Sequence, residues 1–521
     1  MYLVTAQEMQ NMDRETIEGF GLPGRVLMEN AGRGSVDMLV RRFPYLKSKR
    51  VCVLAGRGNN GGDGFVVARY LIQMGVKTDL FLLSQRSTVT GDALANLELV
   101  ETLVEKHPDT TLTEVPDLES FDRVKPRMVH ADLIVDAILG TGLNADVRGF
   151  FKTVIQTVNQ LACPTFSIDI PSGLNADTGR PWGVAINACA TATFAFAKPG
   201  HFLLPGKELT GELEIVEIGI PPFIREKYDP KITLVEPQDV AALFPPRRLQ
   251  THKGSFGHLA VVAGSTGKTG AAALTANAAM AMGTGLVTLG IPASLNPTME
   301  PQVTETMTFP LAETAPGHLS DDAMDELKQL AKEKTAMALG PGIGTAPATQ
   351  ALVRKIITGI DLPLVIDADG LNAIAGDPGI LKTTQTPMVI TPHPGEMARL
   401  CTTTTQEIQA NRLETAQRFA GEFNVIVVLK GAGTIIALPN GRAYISTTGN
   451  PGMASAGMGD VLTGMIAGLA AQGFSLEEAA VAGVYIHGRC GDRLARERGG
   501  FGFVASEMIQ AIPFVIHGDL S

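Results

Sequence analysis

The chain has 521 residues, 45% of them hydrophobic, with 57 glycines, 31 prolines and a formal net charge of -10. That length exceeds a single core and predicts two domains of roughly 200 to 280 residues, while the acidic balance with no basic stripe excludes a nucleic-acid surface. Cys52, Cys163, Cys189, Cys401 and Cys490 are scattered without a C-x-x-C, the start T-A-Q-E-M-Q-N-M-D-R has neither a basic nor an apolar leader region, and no apolar run reaches about 18 residues, so reduced thiols and a cytoplasmic, membrane-free chain are expected.

Thr5 to Gly19 reads as an opening helix, with Thr5 as cap and Glu8 at the capping-box position, and a second helix follows from about Pro23. Strands at 51–55, 78–83, 132–137 and 165–170 then alternate with helices from Gly62, Asp92 and Arg148, and strand-like 191–196 and 212–218 end the run. Such alternation implies a parallel sheet covered on both faces, with ligands bound beyond the carboxyl ends of its strands. The first end carries A-G-R-G-N-N-G-G-D-G (55–64), which contains G-x-G-x-x-G at Gly56, Gly58 and Gly61. A dinucleotide-binding dehydrogenase needs an acid at the end of the next strand, but that strand ends L-L-S and has Asp79 at its start. The loop offers instead backbone amides for phosphate, with Asn60 and Asp63 as oxygen donors. The second end, V-D-A-I-L-G-T-G-L-N-A-D, sets Asp136 before a glycine-rich turn at 140–146, and the third, I-D-I-P-S-G-L-N-A-D, supplies Asp169 and Ser172. Oxygen donors without His or Cys suit a hard cation such as K⁺, Na⁺ or Mg²⁺, although each aspartate taken singly reads as a turn cap. Lys198, leaving an apolar strand in F-A-F-A-K-P-G-H, is either a proton carrier of lowered pKa or an ordinary solvent-facing lysine.

Proline pairs and mixed charge between Gly219 and Gln250 mark a connector, so domains are expected at 1–225 and 235–521. The following G-S-T-G-K-T is not a Walker A, because the first glycine of that motif falls on Val262. An Ala-rich helix from Gly270, strands L-V-T-L-G-I, A-M-A-L, L-V-I, M-V-I and V-I-V-V-L, and a hairpin around 439–442 predict a second three-layer α/β unit. Its strand-end turns again collect polar groups: G-P-G-I-G (340–344), D-A-D-G-L-N (367–372), H-P-G-E-M (393–397) and K-G-A-G-T (430–434). His393 and Glu396 have no third ligand for zinc, which leaves a histidine bonded to a ligand or a structural turn histidine. Finally, G-N-P-G-M-A-S-A-G-M-G-D (449–460) precedes the apolar helix V-L-T-G-M-I-A-G-L. Small residues let backbone N–H groups converge on one anion, and the helix N-terminus adds positive potential. Asp460, in the first helical turn, is expected to stay ionised and to take a proton from an attacking hydroxyl; the plain alternative is a glycine-rich helix start with an N-cap acid.

N-N-G-G-D-G, V-D-A-I-L-G-T-G, D-I-P-S-G-L-N-A-D and F-A-K-P-G together resemble the NAD(P)H-hydrate epimerase domain over roughly residues 1 to 220. The resemblance implies a Rossmann-like sandwich that interconverts the R and S epimers of hydrated NADH and NADPH, with K⁺ held by Asn60, Asp136 and Ser172. It implies that Asn59, Asn60, Gly61, Gly62 and Asp63, the turn Gly140, Thr141, Gly142, Leu143, Asn144, Ala145 and Asp146, and Asp169 contact the substrate, and that Asp169 and Lys198 transfer protons. H-P-G-E-M, K-G-x-x-T and G-N-P-G-M-A-x-x-G-x-G-D resemble the ribokinase-like superfamily in its NAD(P)H-hydrate dehydratase branch, over about 235–515. That implies phosphorylation of the ring hydroxyl by ADP or ATP with Mg²⁺, then loss of phosphate to restore NAD(P)H. Asp460 becomes the base at the substrate. Lys430, Gly431, Ala432, Gly433 and Thr434, with Asn450, Pro451, Gly452, Met453, Ala454, Ser455, Ala456, Gly457, Met458 and Gly459, become the nucleotide site. Gly344, His393, Pro394, Gly395, Glu396 and Met397 become contacts of the hydrated dinucleotide. The branch usually has serine where this chain has Met458, which removes a hydroxyl and leaves the backbone amides. The expected whole is a homo-oligomeric bifunctional lyase and isomerase acting on small molecules; the alternative is a small-molecule kinase with an accessory dinucleotide-binding domain.

Overall fold

A computed structural model describes residues 1–519. The chain divides into two compact units, Tyr2–Ile232 and, with Met1, Thr233–Ser521. The first opens on the helix Ala6–Arg14, where Thr5 accepts from the Glu8 N–H and the Glu8 carboxylate accepts from the Thr5 N–H at 2.7 Å, closing the capping box that the sequence announced. After the helix Gly24–Arg42 come strands β1 (Arg50–Ala55), β2 (Lys77–Leu82), β3 (Thr111–Glu114), β4 (Leu133–Ala137), β5 (Thr165–Ile168), β6 (Ala190–Phe194) and β7 (Glu212–Val216). They lie in the order β3-β2-β1-β4-β5-β6-β7, and every pairing is parallel. Buried on both faces, the central strands read as continuous apolar runs, which is why they were legible. The edge strand β3, T-L-T-E, is partly exposed and half polar, and its sequence gives no such run.

Two sequence expectations change here. The helix expected from Gly62 starts at Asn59, so N-N-G-G-D-G is its first turn and not a free loop. The glycines serve close packing: a Cβ at Gly61 would overlap the Gly56 carbonyl, and one at Gly64 would stand 2.5 Å from Ala137 Cβ. The expected connector is also structured, with a helix at Pro222–Tyr228 and a strand at Ile232–Leu234; a proline at the first helical position costs no hydrogen bond. Asp79, near the start of β2, is buried and pairs with Arg50 at 2.9 Å and with Arg127, a structural clamp.

The second unit carries β8 (His258–Val262), β9 (Leu286–Pro292), β10 (Met307–Leu311), β11 (Ala336–Leu339), β12 (Leu364–Ile366), β13 (Met388–Ile390), β14 (Ile426–Leu429), β15 (Thr434–Ala437) and β16 (Ala443–Ser446). Their order is β16-β15-β14-β13-β12-β11-β8-β9-β10, parallel from β10 to β14 and antiparallel through the β15–β16 hairpin. β10 was not foreseen: it is an edge strand with Pro310 inside it, a residue tolerated only at edges. Helices Thr269–Ala281 and Met458–Ala471 pack backbone to backbone against one face, because a Cβ on Gly464 would overlap the Thr275 carbonyl. Among the described residues all five cysteines are free, and no helix is long and apolar enough to cross a membrane.

Candidate functional sites

In the first unit the polar groups gather at the carboxyl ends of β1, β4 and β5. Asp136 on β4 is fully buried, and its carboxylate accepts from the Ser172 N–H at 2.8 Å, Ser172 Oγ at 2.5 Å and Ser167 Oγ at 2.8 Å. Burial still pushes its pKa up against those bonds. Ser172 Oγ also lies 3.1 Å from the Leu139 carbonyl. Asn60, in the uncapped first turn of Asn59–Gln73, packs beside Gly140, and its amide oxygen and nitrogen are both buried without a protein partner. Buried amides are nearly always satisfied, so this one marks a position for a bound group.

Beyond β5, Asp169 adopts a left-handed backbone with φ 63°, which few side chains tolerate. Lys198 is fully buried and so is not the solvent-facing lysine its sequence allowed, and its ammonium donates to Asp169 Oδ1 at 2.5 Å and to Thr193 Oγ1 at 2.8 Å. Burial opposes ionisation of Asp169, yet Lys198 holds its pKa below the ordinary value. Asp63 has no such cation: burial, then the Asp169 and Asp13 charges, keep it protonated well above the usual range. Asp13, from the opening helix, has a buried unpartnered Oδ1 and is raised to about 6 by burial and by Asp169. His201 is driven down to about 3, by burial and then by Lys198, and is a neutral imidazole. One carboxylate–ammonium pair thus stands among proton-holding carboxyls, a set that can both remove and return a proton.

In the second unit, Asp460 lies in the first turn of Met458–Ala471, whose N-cap is Gly457 at φ 89° with no side chain capping it. Asp460 is raised to about 6, by burial first and then by the Asp367 charge. Burial among neighbouring acids, which the sequence did not show, brings the group close to neutrality while leaving it largely ionised at pH 7. Asp367, 1% exposed, accepts from Lys430 Nζ at 2.6 Å and Thr463 Oγ1 at 2.7 Å. Lys430 also faces Glu396 at 3.8 Å; burial disfavours its charge, but the two acids raise its pKa. Between Asp367 and Asp369, Ala368 is held at φ 50°, strain concentrated where the polar groups converge. Asp369 accepts from Lys268 Nζ at 2.9 Å and the Gly344 N–H at 3.0 Å.

H-P-G-E-M is not a turn: it begins the helix Pro394–Leu400, and His393 Nδ1 accepts from the Gly395 N–H at 2.9 Å as N-cap. D-A-D-G-L-N likewise runs into the helix Asp369–Ile374. In the glycine loop, Asn450 Oδ1 accepts from the Gly452 N–H at 3.0 Å, and Asp492 holds the Gly449 N–H at 3.0 Å and Asn450 Nδ2 at 3.1 Å. Pro451, Ala454, Ser455 and Ala456 are exposed, whereas the Met458 side chain is buried in the core.

Residues 24–200 match the model of the YjeF-related protein N-terminus family, and residues 259–514 match that of NAD(P)H-hydrate dehydratase. A bifunctional NAD(P)H-hydrate repair enzyme of Moorella thermoacetica is 43% identical over 99% of this chain and 97% of its own length. The chain belongs to the bifunctional NAD(P)H-hydrate repair enzymes. The Escherichia coli repair enzyme is 32% identical over 99% of this chain and 94% of its own. A Bacillus subtilis ADP/ATP-dependent NAD(P)H-hydrate dehydratase, crystallised with ATP and Mg²⁺, is 30% identical, covers 56% of this chain and 99% of its own, and has a TM-score of 0.48.

For this repair enzyme, sequence reading singled out Asp169 with Lys198 and Asp136 with Ser172, and the fold brings each pair together; it gave Lys430 to the nucleotide and Glu396 to the hydrated dinucleotide, and the fold sets these two 3.8 Å apart. The 140–146 turn is different: Asn144, Ala145 and Asp146 are exposed, and Asp146 faces Arg148 at 3.8 Å. Asp13, Thr193 and Asp492 were missed because none sits in a glycine-rich strand-end segment, whereas Lys268 in G-S-T-G-K-T and His201 in F-A-F-A-K-P-G-H lay in segments that were read without a role for either residue. Asp367 and Asp369 were seen in D-A-D-G-L-N without a role, though two acids flanking a small residue at a strand end were the available signal.

Proposed function

We propose that the first unit epimerises hydrated NADH and NADPH at the Asp169–Lys198 cluster, and that the second dehydrates the S epimer at Asp460 with ADP as phosphoryl donor. The observation that carries the second half is Asp460, poised at about 6 in the first turn of an uncapped helix beside the 449–459 glycine loop. Its carboxylate takes the proton of the ring hydroxyl while that oxygen attacks the terminal phosphorus of ADP and AMP leaves. The ring C–O bond then breaks with phosphate as the leaving group, and loss of a proton from the adjacent carbon to that departing phosphate forms the C=C bond of the reduced nicotinamide. The amides at Gly457, Met458 and Gly459 hold the transferred phosphoryl, and the buried Met458 side chain supports a backbone cradle that needs no hydroxyl. Lys430 and the 430–434 turn hold the nucleotide, while Gly344 and the 393–397 segment face the dinucleotide. Mg²⁺ arriving with the nucleotide supplies charge to offset the phosphates.

In the first unit Asp169, kept ionised by Lys198, is the base, and the protonated Asp63 carboxyl can return a proton. The buried, unpartnered Asn60 amide supports a K⁺ position shared with Asp136 and Ser172, which are hard oxygen donors; the ion would supply fixed positive charge beside the 59–63 turn. The test mixes protein with both epimers of hydrated NADH, K⁺, Mg²⁺ and either ADP or ATP, and follows absorbance of the reduced nicotinamide. Full recovery supports both activities and names the donor. Recovery of the S fraction alone removes the epimerase, and phosphate transfer to another alcohol without recovery favours the kinase.

A further inference from the structure

In the second unit Arg412 is 7% exposed and forms no ion pair among the described residues. Its only charged-group environment is its own burial, which pulls the guanidinium down to about 10. Burying a cation without an anion is costly, so what it touches matters. Nη2 donates to the Leu429, Lys430 and Gly433 carbonyls at 3.1, 3.3 and 3.3 Å, and Nη1 donates to Gln409 Oε1 at 3.2 Å. The Leu429 carbonyl at the end of β14 and the Lys430 and Gly433 carbonyls of the K-G-A-G-T turn are therefore drawn to the same side.

A trans peptide points its N–H opposite to its C=O. With the Lys430 carbonyl turned towards Arg412, the Gly431 N–H must face away from it, and that N–H has no acceptor among the described residues. Gly431 sits at φ 140°, and a Cβ there would lie 3.0 Å from Arg412 Nη1, so the turn can adopt this shape only with glycine. We infer that Arg412 is a positioning residue for nucleotide binding: it turns the 430–433 carbonyls inward so that the Gly431 amide is presented to a phosphate of the nucleoside diphosphate, and its buried charge adds positive potential behind that amide. The inference rests on the nucleotide site proposed above.

The experiment titrates ADP with Mg²⁺ into the full chain by calorimetry, for the parent, Arg412→Lys, Arg412→Gln and Gly431→Ala, with steady-state kinetics on the same preparations. Nη2 reaches three carbonyls while Nη1 holds Gln409, a two-armed contact that neither a lysine ammonium nor a glutamine amide reproduces, so both Arg412 variants and Gly431→Ala are expected to weaken ADP by about tenfold or more, with Arg412→Gln the weakest. The KM for ADP rises, the KM for hydrated NADH stays within about twofold, and the epimerase rate of each preparation is unchanged. Binding of ADP by Arg412→Lys and Gly431→Ala within about twofold of the parent overturns the inference, as does a parallel rise in both KM values, which a merely structural role produces. If Arg412→Gln does not fold, those two variants decide. A parent that binds neither ADP nor ATP instead overturns the nucleotide site itself.

Discussion

Asp460 owes its proton affinity to its surroundings: burial and the charges of Asp367, Asp369 and Glu396 favour the neutral acid, and Lys430 opposes them. Dehydratase activity should accordingly be present above pH 6 and fall as the pH drops through about 6, provided the epimerase is assayed separately. Asp460→Asn should abolish dehydration, by at least about 10³-fold, and leave epimerisation intact; equal rates in parent and variant remove its assigned role. The same shift bears on stability with a definite sign. The folded pKa lies above the unfolded one, so ionised Asp460 costs stability at neutral pH and none below about pH 4. Asp460→Asn should therefore raise the unfolding free energy of the second unit in urea at pH 7 by on the order of 2 kcal/mol, with the gain vanishing near pH 4. Lys198 behaves oppositely, since removing it strands the Asp169 carboxylate inside the fold. Lys198→Met should destabilise the first unit by about 3–5 kcal/mol, and adding Asp169→Asn should recover much of it. Additive losses in a double-mutant cycle would contradict the pairing.

Glycine has different duties in different elements. In Asn59–Gln73 it lets the first helical turn press onto β1 and β4, which places Asn60 and Asp63 at the strand ends. Between Thr269–Ala281 and Met458–Ala471, Gly464 meets the Thr275 carbonyl, and Thr275 Oγ1 donates to the Asp460 carbonyl at 3.2 Å. The seat of Asp460 is thus fixed by helix contact. Gly464→Ala should cost about 1–3 kcal/mol of second-unit stability and lower the dehydratase rate by displacing the Asp460 turn. Thermal melting with paired assays of the two activities checks this, and an unchanged dehydratase rate at unchanged stability would show that the helices can part freely.

At the scale of the molecule each unit has its own core, one built from residues such as Phe65, Leu71 and Phe166, the other from Val261, Ile466 and Ile486. Independent cores predict independent folding. Residues 1–232 expressed alone should give a cooperative melt and retain epimerase activity near that of the full chain, and recovery of NADH from the R epimer should return on adding the Asp169→Asn full-length variant. A fragment that is unfolded by circular dichroism would refute this autonomy.

What the sequence determined by itself was whatever leaves a local signature. Apolar strands buried on both faces, the Thr5–Glu8 capping box and the glycine-rich segments 55–64 and 449–459 are all written in contiguous residues, because backbone geometry restricts which side chains fit there. Edge strands β3 and β10 escaped because half-exposed strands need no apolar run. Tertiary structure alone decided the ionisation states: within the first unit Asp13 and Asp63 are far from Asp169 in the chain, and within the second Asp367 and Asp369 are far from Asp460, yet in each unit the acids meet in a desolvated space of its own. It also decided that Lys198 is buried and that Arg412 lies behind the 430–433 carbonyls. Proton affinity and charge compensation depend on distance and dielectric, and neither is set by position along the chain.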